Sequence, residues 1–202
     1  MEKISPEEGV RLVGLARTAI EAKLGLGKFE VGEDLPGVFR EPRGVFITLK
    51  THDKGELRGC IGFPEPVMPL VDAVVNAAGA AAFKDPRFTP VSKNEMRGLV
   101  VELTVLTPPE LIDSHDPAEI ISQVKIGTHG LIVRYITGRA GLLLPQVPVE
   151  NHWGVEEFLG YTCMKAGMPR DTWAHPDCSL FRFQGQIFAE TEPGGEVQEI
   201  SL

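Results

Sequence analysis

Apolar residues recur at helical spacing at Val10, Val13, Ala16, Ile20 and Leu24. Just ahead of them, Ser5-Pro6-Glu7-Glu8 supplies a cap residue, a proline at the first helical position and an acid three residues after the cap. That capping-box pattern predicts a helix starting there, with Gly25 and Gly27 ending it. After a Gly- and Pro-rich loop from Gly32 to Gly44, two strands are expected, Val45–Lys50 and Leu57–Gly62, joined as a hairpin by the Asp-Lys-Gly turn between them. Leu70–Phe83, rich in Ala with Val71, Val74 and Ala78 on one face, predicts a buried helix, and Asp72, Asn76 and its shortness exclude a membrane span.

Lys84–Pro90 is a charged loop stiffened by two prolines. Leu99, Val101, Leu103 and Val105 then alternate with Val100, Glu102, Thr104 and Leu106, which predicts a strand with one apolar face and one carrying a carboxylate and a hydroxyl. Asp116-Pro117-Ala118-Glu119 is a second capping-box pattern, opening a helix to about Val124. Gly130–Tyr135 and Ala140–Leu144 read as strands. A helix from Val155 lines up Phe158, Leu159, Thr162, Cys163 and Ala166 and stops at Gly167 and Pro169, so Cys163 is expected in the core. Ser179–Phe183 and Gln186–Glu190 are short alternating strands. Without a regular strand-helix alternation, these elements predict an α+β fold, a mainly antiparallel sheet packed by helices. Two subdomains of unequal size are expected, the larger from 1–114 with 176–202 and the smaller from 115–175.

Candidate chemistry concentrates in Leu57-Arg58-Gly59-Cys60-Ile61-Gly62. In a strand, successive side chains point to opposite faces, so Arg58 and Cys60 are expected to share one. A neighbouring guanidinium favours thiolate and lowers a Cys pKa from its free value of about 8.5. Bare backbone at Gly59 and Gly62 admits a close approach by another chain or a ligand. The plain alternative is a buried Cys beside glycines that mark a bulge or a backbone crossing. Glu102 calls for a partner, and Arg58 supplies one if their strands are neighbours. His129, beside glycines in Gly127-Thr128-His129-Gly130, is a candidate general base or a turn histidine bonded to backbone.

Composition narrows the classes. Lys plus Arg number 20 against 28 Asp plus Glu, a net charge of -8, and no basic run offers the footprint that nucleic acid requires. Cysteines at 60, 163 and 178 are odd in number and lack CxxC spacing, which suits neither a disulfide framework nor a zinc ribbon. Met1–Pro6 lacks the apolar run of a signal peptide, so a soluble protein in a reducing cytoplasm is expected. His152 and Glu156 have i, i+4 spacing, but Trp153-Gly154 between them weakens that as a metal site. P-loop, dinucleotide and Gly-x-Ser-x-Gly fingerprints are absent, so no metal or cofactor is expected.

Taken with other segments, the hexapeptide resembles the AMMECR domain family. The similar segments are Gly44–Leu49, the Ala-rich helix into Ala82-Phe83 with Asp85-Pro86-Arg87-Phe88, Gly127–Leu131, Gly141–Val147, Glu150 with Trp153, and Cys163–Pro169. Thr89 and Met168 depart conservatively from the family pattern. The resemblance implies a two-part α+β fold of archaeal or bacterial type, with the hexapeptide near the junction of the two parts. It also implies an association with a Memo-like protein and a radical-SAM enzyme, without supplying an activity.

Two functions fit these residues. As an enzyme, the chain uses Cys60 as nucleophile, with Arg58 activating it, Glu102 or His129 handling protons, and backbone N–H groups around Gly59 and Gly62 meeting an oxyanion. As a binding or adaptor module, it receives a peptide or small molecule in a cleft, with Arg58 and Arg87 gripping a carboxylate or phosphate. Asp85, Gln146 and Glu150, from the similar segments, join Gly59, Gly62 and Arg87 as binding candidates.

Overall fold

A computed structural model describes residues 3–32 and 34–201. Met1, Glu2, Glu33 and Leu202 lie outside the described residues, and with them the first residues of the stretch compared with a signal peptide and the two ends of the expected larger subdomain. The architecture is α+β, with antiparallel sheets packed by helices, and the chain forms two compact units. The first runs to Leu106 and takes up Gln186–Ser201; the second is Thr107–Gly185.

The first unit opens with α1 (Pro6–Lys23). Its capping box is formed: the Ser5 hydroxyl accepts from the Glu8 N–H at 3.3 Å, and the Glu8 carboxylate accepts from the Ser5 N–H at 2.8 Å. Strands β1 (Val45–Thr51) and β2 (Leu57–Phe63) make the expected hairpin, followed by α2 (Leu70–Phe83), the short α3 (Lys93–Met96) and β3 (Leu99–Leu106). With β8 (Gly185–Glu190) and β9 (Val197–Ile200) they build a five-stranded sheet in the order β2-β1-β3-β8-β9, so β2 is an edge. Val45, Ile47 and Leu49 of β1 and Val101, Leu103 and Val105 of β3 pack with α1 and α2 in one fully apolar core. Alternation therefore turns Phe46, Thr48, Lys50, Glu102 and Thr104 to the opposite face.

A buried ion pair ties α1 to this sheet. Arg17 and Glu190 bond directly; Arg17 also donates to the Leu99 carbonyl at 2.6 Å, and Glu190 accepts from the Val101 N–H at 2.8 Å. Every donor and acceptor of the pair that faces the strand end is thus matched, which is the condition under which buried charges are tolerated.

The second unit carries β4 (Glu110–Leu111), α4 (Pro117–Gln123), β5 (Gly130–Tyr135), β6 (Ala140–Leu143), α5 (Gln146–Glu150), α6 (Val155–Lys165) and β7 (Cys178–Phe183). Its four-stranded sheet has the order β4-β7-β5-β6. Asp116 caps α4 by accepting from the Ala118 and Glu119 N–H groups, while the Glu119 carboxylate takes the Ser114 hydroxyl instead of completing the box. Phe158, Leu159 and Cys163 of α6 pack with Leu131 and Val133 in a separate core. Among the described residues, no helix is long and apolar enough to cross a membrane.

A polar row on the edge of the first sheet

Cys60 stands opposite Thr48 in the β1–β2 pairing, and Thr48 stands opposite Glu102 in the β1–β3 pairing. A thiol, a hydroxyl and a carboxylate therefore form one row across three strands. The Thr48 hydroxyl donates to the Cys60 sulfur at 3.4 Å. Lys50, two residues along β1, reaches Glu102 with a 2.9 Å ion pair. Thr48 is 5% exposed and Glu102 9%, and Thr104, two residues beyond Glu102, is fully buried with its hydroxyl unpartnered. Buried polar groups are costly unless matched, and in this row the Thr104 hydroxyl is the one left open.

An edge strand exposes unpaired N–H and C=O groups. At Cys60 these are claimed by the loop after α2. The Asp85 carboxylate accepts from the Cys60 N–H at 2.9 Å, and an Arg87 guanidinium N–H donates to the Cys60 carbonyl at 3.3 Å. Asp85 also accepts from the Arg87 N–H at 3.1 Å and from two guanidinium nitrogens at 3.0 and 2.7 Å. The Arg87 guanidinium, together with these N–H donors, holds the buried Asp85 carboxyl well below the usual carboxylate range. The charged, proline-stiffened loop is thus a clamp on the thiol's own backbone.

Burial pushes the Cys60 thiol up from its ordinary value, against the Thr48 hydrogen bond and the Arg87 charge, which favour thiolate. Glu102 and Asp85 add to the upward push. The resting group is a neutral thiol, half-buried, whereas Cys163 and Cys178 are buried.

Arg58 has a different place from the expected one. The β1–β2 register slips between Leu49 and Lys50, so that Leu49 faces Gly59 while Lys50 faces Leu57, and Arg58 is the extra residue. Its guanidinium pairs with Glu95 of α3 at 2.9 Å, donates to the Thr89 carbonyl at 2.9 Å and lies 5.6 Å from the Phe88 ring centre. Arg87 lies 5.5 Å from the same centre. The charge acting on Cys60 is that of Arg87, and Arg58 fastens the loop. Nor does Glu102 meet Arg58: β1 separates their strands, and Lys50 is the partner.

The open space at both glycines is filled by the protein itself. A Cβ at Gly59 would stand 2.3 Å from the Ala81 carbonyl oxygen of α2. At Gly62 it would stand 2.2 Å from the Val45 oxygen and 2.4 Å from the Phe46 ring. The glycines let α2 and Phe46 close on the strand.

The remaining candidates belong to the second unit. His129 accepts the Lys125 N–H on Nδ1 at 3.1 Å and bonds the Gln123 backbone, and burial with the nearby Arg182 charge lowers its pKa. That makes it a neutral turn histidine. Gln146 opens α5, 7% exposed, with its side-chain oxygen unpartnered, and Glu150 is exposed at the end of the same helix. Among the described residues no three His, Cys, Asp or Glu side chains gather to hold a metal ion. Thr48 escaped the sequence analysis, although its place between Phe46 and Lys50 in an alternating strand was the available signal.

Fold and site together define a two-unit α+β protein that holds a thiol on a polar sheet face beside an Asp-Pro-Arg clamp. The AMMECR1 family model matches residues 13–188, and the chain belongs to that family. It is 52% identical over 202 residues to Protein MJ0810 of Methanocaldococcus jannaschii, across the whole of both chains. It is 50% identical over 203 residues to Protein MK0488 of Methanopyrus kandleri, covering 100% of this chain and 97% of that one. The crystal structure of Uncharacterized Protein PH0010 from Pyrococcus horikoshii matches with a TM-score of 0.92 and 48% identity, covering all of both chains.

Proposed function

We propose that the chain is a thiol-dependent enzyme whose nucleophile is Cys60. One observation supports this above the rest: Thr48, Cys60 and Glu102 stand in register on one sheet face, in largely buried surroundings. The resting thiol is neutral, so the nucleophile forms only as substrate is engaged. Glu102, paired with Lys50 and separated from Cys60 by Thr48, takes the thiol proton through a bridging water, and in becoming neutral it removes a charge that opposes the thiolate. Thr48 keeps its hydrogen bond to the sulfur as negative charge develops there. Asp85 and Arg87 fix the Cys60 backbone, and Arg58 positions the loop that carries them. Sulfur attack on a carbonyl carbon expels the leaving group, which recovers the proton from Glu102, and water then releases the acyl group.

The test is acylation by p-nitrophenyl acetate, a small activated ester. Wild-type protein is expected to carry an acetyl group on Cys60, found by peptide mapping, with release of p-nitrophenolate. Cys60→Ser should carry none, and the pH midpoint of acylation should fall in Glu102→Gln, where no neighbouring carboxylate opposes the thiolate. Acylation of Cys60 in the unfolded chain alone, or a pH midpoint unchanged in Glu102→Gln, contradicts the proposal.

A binding reading has one observation in its favour. The Arg87 side chain is half exposed while its carboxylate clamp holds it rigid, which suits capture of a carboxylate or phosphate on a partner, the Memo-like and radical-SAM proteins being the partners to try. There Arg87→Ala weakens binding and Cys60→Ala leaves it near normal; the opposite ranking removes this reading.

A further inference from the structure

The second unit holds a cleft of about 920 Å³ that the proposed reaction does not use. Sites for small organic molecules typically measure roughly 300–1,000 Å³, so the cleft has the size for one. Two stretches of chain wall it: the end of β5 with its turn into β6, and the connection from α6 to β7. They contribute, among others, Tyr135, Arg139, Met168, Asp171, Thr172 and His175.

Both walls are fixed before any ligand arrives. The Ile136 N–H donates to the Asp177 carbonyl at 3.2 Å, and an Arg139 guanidinium N–H donates to the Gly167 carbonyl at 2.9 Å, so the two stretches are tied to each other. The second stretch is also held within itself and to α6. The His175 N–H donates to the Thr172 carbonyl at 3.0 Å. The Arg170 guanidinium lies 4.6 Å from the centre of the Tyr161 ring, which stacks on Trp153 at 4.0 Å. A cleft already held in shape loses little freedom on binding.

Its walls present three kinds of group. The Tyr135 and His175 rings stand 5.7 Å apart at 57°, and Met168, 6% exposed, adds a thioether of the kind that packs well on aromatic rings. Arg139 is the cation. Arg17, Arg58 and Arg87 are each held by a carboxylate, whereas Arg139 gives one N–H to a neutral carbonyl and makes no ion pair among the described residues. The rest of its fork is free for a carboxylate or a phosphate. Asp171 lines the same cleft without pairing with Arg139, so it is an acceptor for a donor on the ligand. His175 accepts the Asp177 N–H on Nδ1 at 3.1 Å, which leaves the hydrogen of the neutral ring on Nε2 as a further donor.

We infer that this cleft is a second binding site, for a small molecule with a flat ring, one anionic group and one hydrogen-bond donor. The ring packs against Tyr135, His175 and Met168, the anion sits on Arg139, and the donor bonds Asp171. Carboxylate and phosphate both match the guanidinium fork, so acids of either kind belong to the class. The site stands whichever function the first unit has, because none of its residues belongs to that unit.

The experiment titrates the isotopically labelled, full-length chain with indole-3-acetate and with adenosine monophosphate, and follows backbone amide shifts. Their uncharged counterparts, indole-3-acetamide and adenosine, are titrated alongside. At least one acid is expected to bind, with shifts centred on residues 135–139 and 167–177, and to bind at least about tenfold more tightly than its counterpart, as one charge-assisted hydrogen bond requires. Which acid responds distinguishes a carboxylate ligand from a phosphate one. Arg139→Gln should remove the difference between acid and counterpart. Counterparts that bind as tightly as the acids, shifts centred elsewhere, or no response to either acid at millimolar concentration overturns the inference. The comparison on the wild-type chain decides this without any variant having to fold.

Discussion

Removing the Asp85 carboxylate is the perturbation with the most to lose in the first unit. That carboxylate is almost completely buried and accepts four hydrogen bonds, two from backbone N–H groups and two from the Arg87 guanidinium. Charge-assisted bonds to buried donors are worth roughly 1.5 kcal/mol each at the low end, so the backbone pair accounts for about 3 kcal/mol. The Arg87 contribution is discounted to about 0–1 kcal/mol because that side chain is half in water. Asp85→Ala is therefore expected to lose about 3 kcal/mol in urea unfolding at neutral pH, with the slope unchanged. The pH dependence has a fixed sign. Because the folded-state pKa is depressed from 3.8, the stabilisation is complete above 3.8 and fades as the pH falls through the lower folded value. The gap between wild type and variant should be flat from neutrality to about pH 4 and narrow on further acidification. A gap below about 1 kcal/mol, or one that widens in acid, refutes the clamp.

Further outcomes follow from the same geometry. Gly59→Ala places a methyl group against the Ala81 carbonyl and is expected to cost about 1–3 kcal/mol, read from the urea midpoint. Glu190→Ala strands Arg17 and the Val101 N–H, for a loss of about 3–5 kcal/mol by the same measurement. Arg87→Ala should raise the pH midpoint for Cys60 alkylation, because its charge favours the thiolate, while Arg58→Ala leaves that midpoint in place.

Much of the fold was legible because local signals and burial agree. The Ser5 capping box, the period of Leu70–Phe83 and the alternation from Leu99 to Leu106 each name an element that the structure contains with nearly the same ends. Less visible were α3, although Ser92 and Glu95 form a full capping box, and the short β4, α5 and β9, which lack enough residues for a period to show. The site was legible as a place and misread in its wiring. Cys60 and Arg58 have the right separation for a shared face, but the slip at Leu49/Lys50 breaks the alternation between them, and the glycines that admit a bulge do not say at which residue it falls. Glu102 needed a cation, and strand order decided which one it met, a property of pairing that no single strand encodes.

Cys60 alkylation by iodoacetamide in the native protein, followed against pH in wild type and Glu102→Gln, tests the central claim most directly. The expected wild-type result is labelling of Cys60 while Cys163 and Cys178 stay silent, with a midpoint above that of an ordinary cysteine thiol that falls in Glu102→Gln, since a charge opposing the thiolate is gone. Labelling of Cys60 only after unfolding, or a midpoint that ignores Glu102, would show that the row is architecture and not a reacting site.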